Sequence, residues 1–108
     1  ECAPSDTTEV IIHPSVKIIK WCAFSDCWNL QRVIMHENVE IIEYGAFFDC
    51  HSLDAVFFPS NIKEIGDRAF EGCTNLRILS IPHTINIDNI GDGIIDECYT
   101  FFRITQLP

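Results

Sequence analysis

The stretch Ile65-Gly66-Asp67-Arg68-Ala69-Phe70-Glu71-Gly72-Cys73-Thr74-Asn75-Leu76-Arg77-Ile78-Leu79-Ser80-Ile81-Pro82 decides how the chain is read, because its skeleton has already occurred twice upstream. Ala69-Phe70 repeats Ala46-Phe47 and Ala23-Phe24 at intervals of 23 residues. Cys73 repeats Cys50 and Cys27, and Leu76 repeats Leu53 and Leu30, at the same interval. Leu79 follows Val56 and Val33. Ahead of each Ala-Phe pair stand Val16 and Ile19, Val39 and Ile42, then Ile62 and Ile65. The consensus is V-x-x-I-x-x-x-A-F-x-x-C-x-x-L-x-x-V-x-h, with h apolar. A fixed period in this range, with fixed apolar slots, is the signature of stacked coils.

Downstream, a fourth copy is stretched by two residues. Ile87, Ile90, Gly91, Ile94, Ile95, Cys98, Phe101 and Ile104 fill its slots, and the insertion falls near His83-Thr84-Ile85-Asn86, where a loop absorbs it. Upstream, Val10, Ile12 and Val16 keep phase with Val33, Met35 and Val39, so the chain begins partway through a coil. The expected organisation is one domain over 1–108, with a partial coil at 1–15 and coils near 16–38, 39–61, 62–84 and 85–108. The chain starts at Glu1, without an initiator Met or apolar leader, and reads as processed or as a fragment of a longer protein.

The spacing also predicts local structure. A single coil cannot bury its own apolar face, so neighbouring coils share one continuous core. In L-x-x-V-x-h the last two slots are two apart and face one side of a strand. V-x-x-I supplies a second extended piece, and A-F-x-x-C a tight or short helical turn. The fold class is therefore an α/β-type repeat solenoid dominated by short β-strands, with leucine-rich-repeat architecture. Its expected core comprises Phe24, Phe47, Phe70, Cys27, Cys50, Cys73, Cys98, Leu30, Leu53 and Leu76.

The stretch from Ile65 to Pro82 resembles the BspA-type leucine-rich repeat, and the likeness covers roughly Val10 to Leu107. The resemblance implies a scaffold common in surface and secreted proteins of bacteria and unicellular eukaryotes. It implies adhesion or protein binding rather than catalysis, and an extracellular or cell-surface location. The chain departs from the family pattern where His36-Glu37 stands in place of Pro after the strand, and where Ile94-Ile95 replaces Ala-Phe.

Composition narrows the partners. Sixteen acidic against seven basic residues give a formal charge of -9. This argues against nucleic acid, which requires clustered Lys and Arg, and against anionic membrane surfaces. No apolar run approaches the roughly 18–20 residues of a spanning helix. Cys27, Cys50, Cys73 and Cys98 share one slot beside apolar slots and read as small buried hydrophobes. Cys2 and Cys22 lie outside that column, so Cys2 bridging to Cys22 or Cys27 is the disulfide candidate. His13 and His36 share a slot in adjacent coils, about 5 Å apart if their strands stack. They read as solvated turn residues, since a metal needs three or four ligands. Asp88-Asn89-Ile90-Gly91-Asp92-Gly93 lacks the alternating carboxylates of an EF-hand loop. No catalytic set, metal site, cofactor motif or glycosylation sequon is read in the chain.

Function in a solenoid lies on the outward columns. The slot between V and h reads Ile11, Ile34, Phe57, Ser80 and Thr105. Trp21, Tyr44, Trp28 and Phe48 occupy further outward slots of the early coils, while Asp67, Glu71, Thr74 and Ser80 occupy those of the third. An apolar, aromatic stripe at such positions marks a contact face. The expected partner-binding residues are Ile11, Ile34, Phe57, Trp21, Tyr44, Trp28 and Arg32. Three functions compete: a protein-interaction module, a structural subunit buried in a larger assembly, and an enzyme, for which no constellation is found.

Overall fold

The computed structural model describes residues 6–98 and the backbone of 103–107. The described residues include eight short strands: β1 Glu9–Ile11, β2 Ile18–Ile19, β3 Arg32–Ile34, β4 Ile41–Ile42, β5 Ala55–Phe57, β6 Glu64–Ile65, β7 Ile78–Pro82 and β8 Arg103–Leu107. One 3₁₀ turn spans Ile87–Asn89.

Every strand pairing is parallel and follows the repeat. The larger sheet runs β1-β3-β5-β7-β8 and the smaller β2-β4-β6. Val10 lies beside Val33, and Val56 beside Leu79, each 23 residues on. At the last pair Leu79 lies beside Ile104, 25 residues on. Ile65 bridges Ile90 at the same longer interval. The 23-residue register still holds at Ile85, whose amide bonds the Pro82 carbonyl as that of Ile62 bonds Pro59, and is 25 at Ile90, so the two extra residues are taken up at the 3₁₀ turn. Ile85 packs against the core there, and Ile87, expected in that apolar slot, is 78% exposed, because the turn carries it outward.

The A-F-x-x-C segment forms a third ladder, made of turns. In the first coil the amides of Cys22, Phe24 and Asp26 donate to the carbonyls of Tyr44, Ala46 and Phe48 at 3.1, 2.8 and 2.7 Å. Gly45, Phe47 and Asp49 repeat this to Asp67, Ala69 and Glu71; Arg68, Phe70 and Gly72 repeat it to Asp92, Ile94 and Asp96. Two residues per coil reach the left-handed region. One column is Cys22, Gly45, Arg68 and Gly93, with φ 54, 59, 56 and 65°. The other is Asp26, Asp49, Gly72 and Glu97, with φ 60, 59, 79 and 59°. Gly and Asp tolerate this conformation; Cys, Arg and Glu carry its steric cost. Cys22 therefore belongs to a backbone column of its own.

The core lies between the three ladders. Phe47 and Phe70 are wholly buried, with stacked ring centroids 5.1 Å apart, and Phe24 stacks on Phe47 at 5.3 Å. Phe24 is only partly buried, because the first coil covers it from one side. Leu30, Leu53 and Leu76 are fully buried, with Cys27, Cys50, Cys73 and Cys98 beside them. The cysteine column has a polar task as well. The thiols of Cys50, Cys73 and Cys98 donate to the carbonyls of Phe24, Phe47 and Phe70, each at 3.1 Å. A small apolar residue with one weak donor suits such a slot. Burial pushes the Cys98 thiol up to about 11. The Cys50 thiol, together with burial, drives Cys73 higher still. Cys22 carries a free thiol, and Cys2, the other half of the expected bridge to Cys22 or Cys27, lies outside the described residues.

Candidate functional site

The outer face of the larger sheet is built by strand alternation. In β1, β3 and β5 the middle residue turns inward and the flanking two turn out. Parallel register then stacks Ile11, Ile34 and Phe57 in one column, with Glu9, Arg32 and Ala55 in the next. The three apolar side chains are 69, 43 and 58% exposed, which makes a continuous uncovered row. The small side chain of Ala55 leaves a depression of about 190 Å³, walled by Arg32, Ile34 and Phe57. Glu9 accepts from the Arg32 guanidinium at 3.1 Å, and Asp54 accepts from Arg77 at 2.8 Å. Asp54 holds the Arg77 guanidinium above its ordinary value. Both ion pairs join neighbouring coils and leave the face locally neutral.

The row stops at Ser80, contrary to the expectation that this slot is outward and open. Ser80 is 1% exposed, and its Oγ has no hydrogen-bond partner among the described residues. It is a short side chain in a strand paired on both sides, beside the large Phe57 of β5 and the backbone of β8. Phe48, also expected on the surface, is half-buried.

The remaining expected contact residues lie elsewhere. Trp21 and Tyr44, 67 and 51% exposed, line a separate groove of about 700 Å³ beside the smaller sheet. Trp28, 59% exposed, stacks on His51 with ring centroids 5.7 Å apart. One stripe in the sequence is therefore three surface features: the Ile11-Ile34-Phe57 row with Arg32, the Trp21-Tyr44 groove, and the Trp28-His51 stack.

The histidine pair is structural. His36 Nε2 donates to the His13 carbonyl at 2.5 Å, while its Nδ1 accepts from the Asn38 amide at 3.0 Å. His13 Nδ1 accepts from the Ser15 amide at 3.1 Å. These bonds tie the turns after β1 and β3 together. Sequence reasoning missed a related ladder at Asn38, Asn61 and Thr84. Their side chains donate to the carbonyls of Pro14, Glu37 and Ser60 at 2.9, 2.9 and 3.4 Å. Their common spacing of 23 was the available signal. No group of three or more His, Cys, Asp or Glu residues among the described ones is placed to hold a metal ion. No helix of the described residues is long and apolar enough to cross a membrane.

Comparison with known proteins accords with this geometry. The structure is similar to a leucine-rich-repeat protein of T. pallidum, at 28% identity and TM-score 0.85, over 90% of this chain and 44% of that one. It is similar to a leucine-rich-repeat protein of Bacteroides ovatus, at 25% identity and TM-score 0.79, over 94% of this chain and 30% of the other. A third likeness, to a leucine-rich-repeat protein of Eubacterium ventriosum, has TM-score 0.84 at 24% identity, over 96% of this chain and 28% of that one, and speaks for the fold alone. The chain thus spans less than half the length of each. No curated protein is a significant match. The BspA type leucine rich repeat region matches residues 2–106, in six copies. With its parallel coil ladders, its phenylalanine stack and this match over nearly its whole length, the chain belongs to the BspA-type leucine-rich-repeat family.

Proposed function

We propose that the chain is a non-catalytic protein-interaction or adhesion module, working at the cell surface or outside the cell, and that it docks its partner on the outer face of the larger sheet. The observation that carries this reading is the uncovered Ile11-Ile34-Phe57 row, three large apolar side chains stacked in register. Burying such a row is worth a few kcal/mol at about 25 cal/mol per Å². Arg32 and the hollow over Ala55 give the face an edge that selects among partners. The family supports the reading, since leucine-rich repeats present rigid surfaces whose outward residues set specificity.

The test is Phe57→Asp. Its side chain is 58% exposed, so the fold is expected to survive. Affinity for the partner, recovered from native surface extracts and quantified by calorimetry, is expected to fall at least about tenfold, in line with loss of a central interface anchor. Unchanged affinity, or a collapsed fold, refutes the face as drawn. The rival function, a structural subunit of a larger assembly, rests on the same row. Native mass spectrometry separates the two: a lone 12.3 kDa species fits the module, and recovery only with other subunits fits the assembly.

A further inference from the structure

We propose that the groove beside the smaller sheet, walled by the rings of Trp21 and Tyr44, receives a basic stretch of a protein partner. The site is independent of the sheet-face row, since it uses none of the row's residues. It is a concavity of about 700 Å³.

Three observations define the ligand chemistry. First, the two rings are 67 and 51% exposed, one coil apart in a single column, so they present open π faces. Such faces attract ammonium and guanidinium groups. Second, Glu43, Glu64, Asp67 and Asp88 line the same groove, and among the described residues no Lys, Arg or His does. The nearby cations are turned away: Lys63 pairs with Glu40 at 3.6 Å, Arg68 with Glu71 at 3.5 Å, and Lys20 lines the hollow of the first coil. Third, two of the carboxylates are held in place. Glu43 accepts from the Trp21 amide at 3.0 Å and Asp67 from the Asp92 amide at 2.9 Å, so in each case the backbone takes one of the two oxygens.

Gly66 and Gly91 complete the groove. A Cβ at Gly66 would come within 2.7 Å of the Tyr44 nitrogen, and one at Gly91 within 2.5 Å of the Asp67 nitrogen. Close coil packing therefore requires bare backbone here, and the groove between the rings and the carboxylates stays free of side chains from these positions.

The spread of the carboxylates selects a chain over a single ion. They are not gathered into a metal-binding set. Coils stack at about 4.8 Å, so charges on successive coils form a row of that spacing. In an extended peptide, side chains on one face recur every ~6.6 Å. The two spacings differ by about 2 Å, which the long, flexible side chains of lysine or arginine at alternate positions can take up in reaching the rings and carboxylates of neighbouring coils. The net charge of -9 draws such a segment in.

The test uses the Trp28→Phe protein, which leaves Trp21 as its one indole, titrated with pentalysine at low salt. A saturable change in Trp21 fluorescence is expected. Glu64→Gln with Asp88→Asn, both exposed positions, is expected to weaken binding about fivefold. Glu37→Gln, which removes a charge outside the groove, is expected to change affinity far less. No saturable signal overturns the proposal. Equal weakening by the groove pair and by Glu37→Gln also overturns it, because the attraction would then be diffuse. Spermine binding as tightly as pentalysine reassigns the groove to small polycations and overturns the peptide reading. None of these outcomes bears on Phe57→Asp, so the two sites stand or fall separately.

Discussion

Phe47→Ala tests whether the solenoid is held together by its central ring stack. Phe47 is wholly buried and lies between Phe24 at 5.3 Å and Phe70 at 5.1 Å. A buried Phe removes about 150–250 Å² from water, worth about 4–6 kcal/mol at 25 cal/mol per Å². Truncating buried Phe to Ala in other cores costs about 3–5 kcal/mol. Both figures point to a loss near 4 kcal/mol, a large part of the ~5–15 kcal/mol that holds a typical domain together. Phe24 is partly exposed and stacks on one ring only, so Phe24→Ala should cost about half as much. The assay is urea unfolding of the wild type and both variants, followed by circular dichroism and by tryptophan fluorescence. The expected order is wild type, then Phe24→Ala, then Phe47→Ala, with Tm of the last lower by about 15 °C. A loss below about 1.5 kcal/mol for Phe47→Ala, or equal losses for the two variants, would refute the stack as the organising core.

Two further outcomes follow from the backbone and the thiols. Arg68 sits at φ 56°, in the column where Gly45 and Gly93 serve the neighbouring coils. Arg68→Gly should therefore stabilise by about 0.5–1 kcal/mol, the left-handed strain relieved less the added freedom of the unfolded chain; a lower urea midpoint would show that the Arg68–Glu71 pair at 3.5 Å matters more. Cys98 and Cys73 have thiols raised in the fold above their ordinary 9.0, Cys98 to about 11. Such groups hold their protons in the folded state while the unfolded chain releases them. Stability is then intact below pH 9 and declines as pH rises from 9 through 11 and beyond, by up to about 1.4 kcal/mol per pH unit for each thiol. Urea midpoints measured from pH 7 to 11 should fall above 9, and Cys73→Ala should flatten the fall; a flat profile in the wild type would refute it.

The repeat carried most of the fold. Once Ala-Phe, Cys and Leu recur at 23, stacking is the arrangement that buries all of them, and parallel register follows from the equal interval. The inward slots were legible for the same reason, since Leu53 or Val56 has no other place to go. The stretch of the fourth copy was legible, and reappears as the 25-residue offset of β8, but its slots were not: Ile85 and not Ile87 packs against the core, because the two extra residues fall after Ile85.

The surface was less legible, because exposure depends on what lies across the coil and not on the slot. Ser80 shares a column with Phe57, yet one is buried and the other open, since a hydroxymethyl group projects far less from the sheet than a benzyl ring. Trp21 and Phe57 look alike as outward aromatics in the sequence, and the turn between them in each coil sends them to separate grooves. His13 and His36 read as a solvated pair, and the tertiary structure alone showed the imidazole of His36 spent on a carbonyl and an amide. Period and polarity therefore determined which residues stack inside this protein. Which outward residues stand together was decided by the bends of the coil, because hydrogen bonds between turns, and not hydrophobic spacing, set the direction in which each face looks.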